Sequence, residues 1–188
     1  MCTIKQEINS EMTVDSMVKK ATDLNEYERK MHEYFMQKAL NLLEPYSQGL
    51  FAAIIVDYTT KKILAKGVDF DTDPTLHGEV SAIQNYYSQY GDKGWDNVIL
   101  YSTAEPCPMC MSAIIWAGIT RVVWATTLET QISAGVGRIQ VPVSYIVENS
   151  KGKYSPKALI SGVLAEKTDP LFFSDRNFRI KQIINDKI

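Results

Sequence analysis

Two short segments hold the residue types that do chemistry: Leu76-His77-Gly78-Glu79, and Glu105-Pro106-Cys107-Pro108-Met109-Cys110. One imidazole and two thiolates make three ligands for a zinc ion, leaving a fourth tetrahedral position for water. Such a water ionises near neutral pH instead of near pH ~15.7. Glu79, two residues after the histidine, is placed to move that water's protons. The pattern is that of a hydrolytic metal centre. Two other readings use some of the same residues. A Cys-x-x-Cys pair alone suits redox work, but that has no need of a distant His-x-Glu. A structural zinc would have to recruit a fourth ligand from His32, Cys2 or a carboxylate, because the chain has only two histidines and three cysteines.

The elements around these segments must bring them together. Asn25 is a candidate N-cap for a helix with Tyr27, Met31, Tyr34, Phe35, Lys38, Ala39 and Leu42 at helical spacing, ending before Pro45. The apolar run 51–56 reads as a strand covered on both faces, and 57–61 turns it into a returning strand at 62–66. A polar loop over 69–75 leads into a helix carrying His77 and Glu79, with Val80, Ile83 and Tyr87 expected on its buried face. A strand at 97–102 precedes a helix over 107–116, entered through Pro106. Cys107 and Cys110, three apart at its start, share one face. They lie where free N–H groups and the helix dipole favour anionic sulfur. Further strands are predicted at 121–125 and 141–147, and a terminal helix at 175–184. Residues 1–24 read as an N-terminal arm, loosely ordered or a short helix, before a single domain at 25–188. Strands alternating with helices predict an α/β layered fold.

Composition narrows the partners. Twenty Lys and Arg against 22 Asp and Glu give a net charge of -2, which argues against a dedicated nucleic-acid binder. The odd cysteine count is no disulfide framework, and reduced thiols serving as ligands suit the cytoplasm. The first seven residues lack a cationic start followed by an apolar run, and no stretch of eighteen apolar residues occurs, so neither a signal peptide nor a membrane span is expected.

His-x-Glu followed by Pro-Cys-x-x-Cys resembles the signature of the cytidine deaminase-like superfamily. Within it, the chain is similar to the branch of guanine deaminases, yeast-type cytosine deaminases and tRNA adenosine deaminases. Thr75 through Glu79 matches the cytosine enzymes, and Asp73-Pro74-Thr75 the guanine and tRNA enzymes. Glu105 through Cys110, Ile115-Trp116-Ala117 and Arg176-Asn177-Phe178 resemble guanine deaminases. The resemblance covers residues 25 to 180. It implies a three-layer α/β/α fold on a mixed five-stranded sheet. It also implies one Zn²⁺ per chain on His77, Cys107 and Cys110, with Glu79 as proton shuttle and a homodimer in nucleobase salvage. Asp69, Phe51, Gly78, Pro106 and Trp116 are placed by it around the substrate.

Two departures bear on that substrate. Asp69 stands where the family has an Asn against the ring, and is otherwise a loop residue capping a turn. Val136-Gly137-Arg138 follow Gly135, where guanine deaminases carry acids. Phe51 has a core alternative to stacking on substrate. Trp116, Trp124, Phe172 and Phe173 divide among core, dimer interface and pocket wall. The expected activity is hydrolytic deamination of a free nucleobase, nucleoside or related amino-heterocycle. The absence of a Gly-rich phosphate loop or clustered Arg favours a free base over a nucleotide. A tRNA adenosine deaminase and a catalytically idle binding module are the alternatives.

Overall fold

The computed structural model describes residues 18–45, 50–69 and 73–173. Six strands form one sheet: β1 (Val18–Lys20), β2 (Ala52–Asp57), β3 (Ile63–Val68), β4 (Val98–Ala104), β5 (Arg121–Thr126) and β6 (Ala158–Ser161), in the order β1-β6-β5-β4-β2-β3. β2 runs antiparallel to both β3 and β4, while β4, β5, β6 and β1 are parallel. The helices are α1 (Glu26–Leu40), α2 (Gly78–Tyr90), α3 (Pro108–Ala117), α4 (Leu128–Ser133), α5 (Val143–Glu148) and α6 (Ala165–Phe173).

The strand period of two divides the core between the sheet's faces. Ala53, Ile55, Leu100, Val122 and Trp124 pack with Ala82 and Tyr86 of α2, with Met111, Ile114 and Ile115 of α3, and with Val143 and Val147 of α5. Ala52, Ile54, Val56, Ile99, Tyr101 and Val123 pack on the other face with Phe35, Met36 and Ala39 of α1. This is the expected α/β/α layering. Asn25 caps α1 as expected, its side chain accepting from Glu28 N at 2.9 Å. No helix among the described residues is long and apolar enough to cross a membrane.

Four details differ from expectation. The sheet has six strands, not five. The segment 141–147, rich in β-branched and aromatic residues, does not form a strand. Instead Pro142 starts α5, which buries Val143 and Val147 one helical turn apart. β6 is only four residues long, too short to stand out in a pattern. Part of the expected N-terminal arm is β1, paired with β6 along Val18–Leu159, Lys19–Ile160 and Lys20–Ser161. The helix expected at 175–184 lies outside the described residues.

α2 lies unusually close to the sheet. A Cβ on Gly67 of β3 would overlap the Gly78 carbonyl and Ala82 N, and one on Gly78 would press on the Ala52 backbone. These two glycines fix the height of the helix that begins with His77 and Glu79.

Candidate metal centre and active site

His77 is the N-cap of α2 and Cys107 the N-cap of α3, both in extended backbone. Each carbonyl accepts the first bond of its helix, from Ser81 N and Met111 N, both at 2.8 Å. The approach to His77 is shaped by Asp73, whose carboxylate accepts from Thr75 N at 2.8 Å and Thr75 Oγ1 at 2.7 Å. Pro108 opens α3 with the fixed φ that suits a first helical position. Two helix N-termini therefore meet beyond the carboxyl end of β4, the place where parallel sheets bind ligands.

His77 Nδ1 lies 3.6 Å from Cys107 Sγ and 3.5 Å from Cys110 Sγ, and the two sulfurs are 3.5 Å apart. That is no disulfide, whose sulfurs lie about 2 Å apart. A tetrahedral zinc with bonds of about 2.3 Å to sulfur and 2.0 Å to nitrogen sets its ligand atoms roughly 3.5–3.8 Å apart. The trio has that spacing and that soft donor chemistry, so it fits Zn²⁺. The sulfur–sulfur contact with Cys110, and then His77, hold Cys107 down to about 4 against the effect of burial. The same contact with Cys107, and then burial, push Cys110 up; His77 is raised by its bond to Cys107. The protons shared within the trio are those a divalent cation replaces on binding.

Glu79 is 5% exposed, and its Oε1 accepts from Ser102 Oγ at 3.0 Å. Burial, helped by the negative Cys107, raises its pKa. Opposing this are a backbone hydrogen bond, the positive Arg138 and Ser102. A carboxyl so placed holds a proton more readily than one in water.

Of the other expected residues, some are gathered here and one is not. Pro106 is buried in the turn into α3, and Gly78 is buried against β2. Asp69 N donates to Phe51 O at 3.0 Å, so these two residues meet across the ends of β2 and β3. Asp69 also contributes charge at His77. The Phe51 ring packs on Phe172 with centroids 5.6 Å apart. Trp116 is elsewhere: it is 75% exposed near the far end of α3, with Lys153 Nζ over its ring at 4.6 Å. Trp124 and Phe172 are buried, and Phe173 is exposed.

Three residues that carry weight here had no assigned role in the sequence. Ser102 holds Glu79. Glu105 accepts from Leu128 N at 2.9 Å and Val143 N at 3.0 Å, the first residues of α4 and α5. Arg138 Nη2 donates to the Glu105 carbonyl at 3.2 Å, and its Cζ sits 5.1 Å from the Phe51 ring centroid. Arg138 had one available signal: it is the only Lys or Arg between Arg121 and Lys151. A cavity of about 640 Å³ lies at the other end of the sheet, lined in part by Lys19, Tyr58, Lys61, Arg121 and Lys157, and none of the metal-ligating residues line it.

The family model for the cytidine and deoxycytidylate deaminase zinc-binding region matches residues 29–126. The chain belongs to this deaminase family. Guanine deaminase of Bacillus subtilis (strain 168) is 38% identical over 111 residues, which span 55% of this chain and 70% of that protein. A tRNA-specific adenosine deaminase of Haemophilus influenzae is 30% identical over 106 residues, covering 55% of this chain and 60% of that one. The structure of guanine deaminase from Nitrosomonas europaea superposes with a TM-score of 0.63 at 19% identity, covering 77% of this deaminase and 84% of that chain. At that identity the likeness is one of fold. The zinc of this deaminase is assigned to His77, Cys107 and Cys110.

Proposed function

We propose that this deaminase hydrolyses the amino group from a small amino-heterocycle, a free nucleobase or close relative, releasing ammonia. The observation that carries the reading is Glu79: a buried carboxyl with a raised pKa, two residues from a zinc ligand and bonded to Ser102. A scaffold has no use for such a group, and burying it costs stability. Zinc held by the trio supplies Lewis acidity that makes a water nucleophilic at neutral pH. Glu79 would carry one proton of the attacking water to the ring nitrogen, which keeps it in the product, and then the second, from the hydroxyl now on the ring carbon, to the amine, which leaves as ammonia. The ring carbon loses its C–N bond and gains a C–O bond. Ser102 keeps the shuttle pointed at the ring. Phe51, beside Asp69, supplies an aromatic face at the site's edge, and Asp69 accepts from a ring N–H. Gly78 and Pro106 complete the wall.

Similarity to guanine deaminase supports a base as substrate. The tRNA-specific relatives supply the competing reading, and one experiment separates the two. Ammonia release is followed over free bases, their nucleosides and nucleotides, hydroxylated triazines and tRNA, at equal concentration and with zinc content measured on the same sample. Turnover of free bases, with about one zinc per chain, is expected. Turnover confined to tRNA overturns the small-molecule reading, and tRNA binding that weakens steeply with salt would accompany it.

A further inference from the structure

The geometry points to Arg138 as the residue that selects the substrate, by donating to an oxygen acceptor on the ring. This inference rests on the deaminase reading above and names the kind of ring that reading requires.

The turn after α4 aims Arg138. Val136 N donates to Gln131 O at 3.0 Å and Gly135 N to Ile132 O at 2.8 Å, with Gly135 at φ 72°, a left-handed helix stop. The chain thereby returns to the end of β4. There Nη2 is tied to the Glu105 carbonyl, and Cζ sits over the Phe51 ring, 5.1 Å from its centroid. One buried nitrogen of this side chain is left over. Arg138 Nε is buried and has no hydrogen-bond partner among the described residues. Guanidinium groups only donate, stay charged and hold a rigid fork, so the unused N–H requires an acceptor. The positive charge also lowers the pKa of Glu79 and of Cys107, so it is felt at the site.

A buried donor without a partner discriminates by what is missing: a ring that cannot fill it leaves it unpaired. The matching substrate presents oxygen beside the ring N–H that Asp69 would accept. Rings with an amino carbon next to a lactam have both groups. Phosphate is the other source of oxygen acceptors.

The test compares guanine with 2-aminopurine and 2,6-diaminopurine, and isocytosine with 2-aminopyrimidine, with GMP as the phosphate arm. Wild type, Arg138→Met and Arg138→Lys are assayed for kcat/KM, and zinc content reports the integrity of each site. Wild type is expected to favour the oxo rings by about 100-fold or more. Arg138→Met should lose most of that preference and Arg138→Lys regain part of it. Turnover of GMP alone, lost in Arg138→Met, makes phosphate the acceptor and overturns the ring-oxygen assignment. An unchanged preference in Arg138→Met, with zinc intact, overturns the inference and leaves the deaminase standing. Ammonia from no compound strikes the deaminase reading instead. Calorimetric binding of the same set then decides Arg138 separately, and equal affinity of wild type for guanine and 2-aminopurine overturns its role.

Discussion

Glu79 concentrates the conflict between stability and chemistry in one side chain. Its carboxyl is buried, and its raised pKa means that folding works against the ionised form. A shuttle needs both protonation states, so the site tolerates what a core would exclude. Glu79→Gln keeps the shape and an oxygen for Ser102 but cannot accept a proton. Turnover should fall at least ~100-fold, the usual scale of acid–base loss. Zinc content should be unchanged, because the ligands are His77, Cys107 and Cys110. The unfolding midpoint should hold or rise, because no buried charge remains. Near-normal ammonia release by this variant removes Glu79 from the mechanism. A drop in zinc and midpoint together would make its role structural.

At the scale of elements, α2 shows why sequence patterning reached the site but misplaced its neighbours. Val80, Ile83 and Tyr87 are the apolar choice for its inner face, yet the buried residues are Gly78, Glu79, Ala82 and Tyr86. The helix is turned by one residue because a functional carboxyl occupies a core position, which hydrophobicity scores as surface. The ligands were legible because zinc chemistry fixes residue types and short spacings. Arg138 and Ser102 were not, because their roles depend on contacts made across the fold. Glu105 is a further case. Its two oxygens cap α4 and α5, helices of six residues each, too short to be stable alone. Glu105→Gln retains one acceptor and turns a donor toward the other helix start, at a cost of about 1–3 kcal/mol. Amide exchange over 128–148 should accelerate while β4 and β5 stay protected. Uniform exchange across the domain would show that Glu105 is no local clamp.

For the whole molecule, exposed aromatic surface and a buried histidine each make a prediction. Trp116 on α3 and Tyr145 on α5 are exposed although these two helices pack together, and Phe173 is exposed at the end of α6. Such residues are enriched where copies associate, so a homodimer is expected. Light scattering that gives a monomer at micromolar concentration refutes it. His32 contributes to the response to acid. It is 6% exposed, and Nδ1 lies 2.9 Å from the Tyr101 hydroxyl. Burial raises the Tyr101 pKa, so the phenol keeps its proton and donates it to a neutral imidazole. Desolvation is the largest cause lowering His32 from 6.5 to about 4; Glu28 opposes it, and Lys61 adds to it. Between those values the unfolded chain binds a proton that the folded chain refuses, so stability rises with pH there. The contribution is complete above about pH 6.5, is lost as pH falls toward 4, and amounts to at most about 3 kcal/mol. Glu79 has the opposite sign, since its raised pKa favours the folded state as pH falls. The informative quantity is therefore the difference between wild type and His32→Gln in urea unfolding from pH 7 to 4. Wild type should lose more stability than the variant across that window. Parallel curves would mean that His32 is protonated in the folded protein and that its bond to Tyr101 runs the other way.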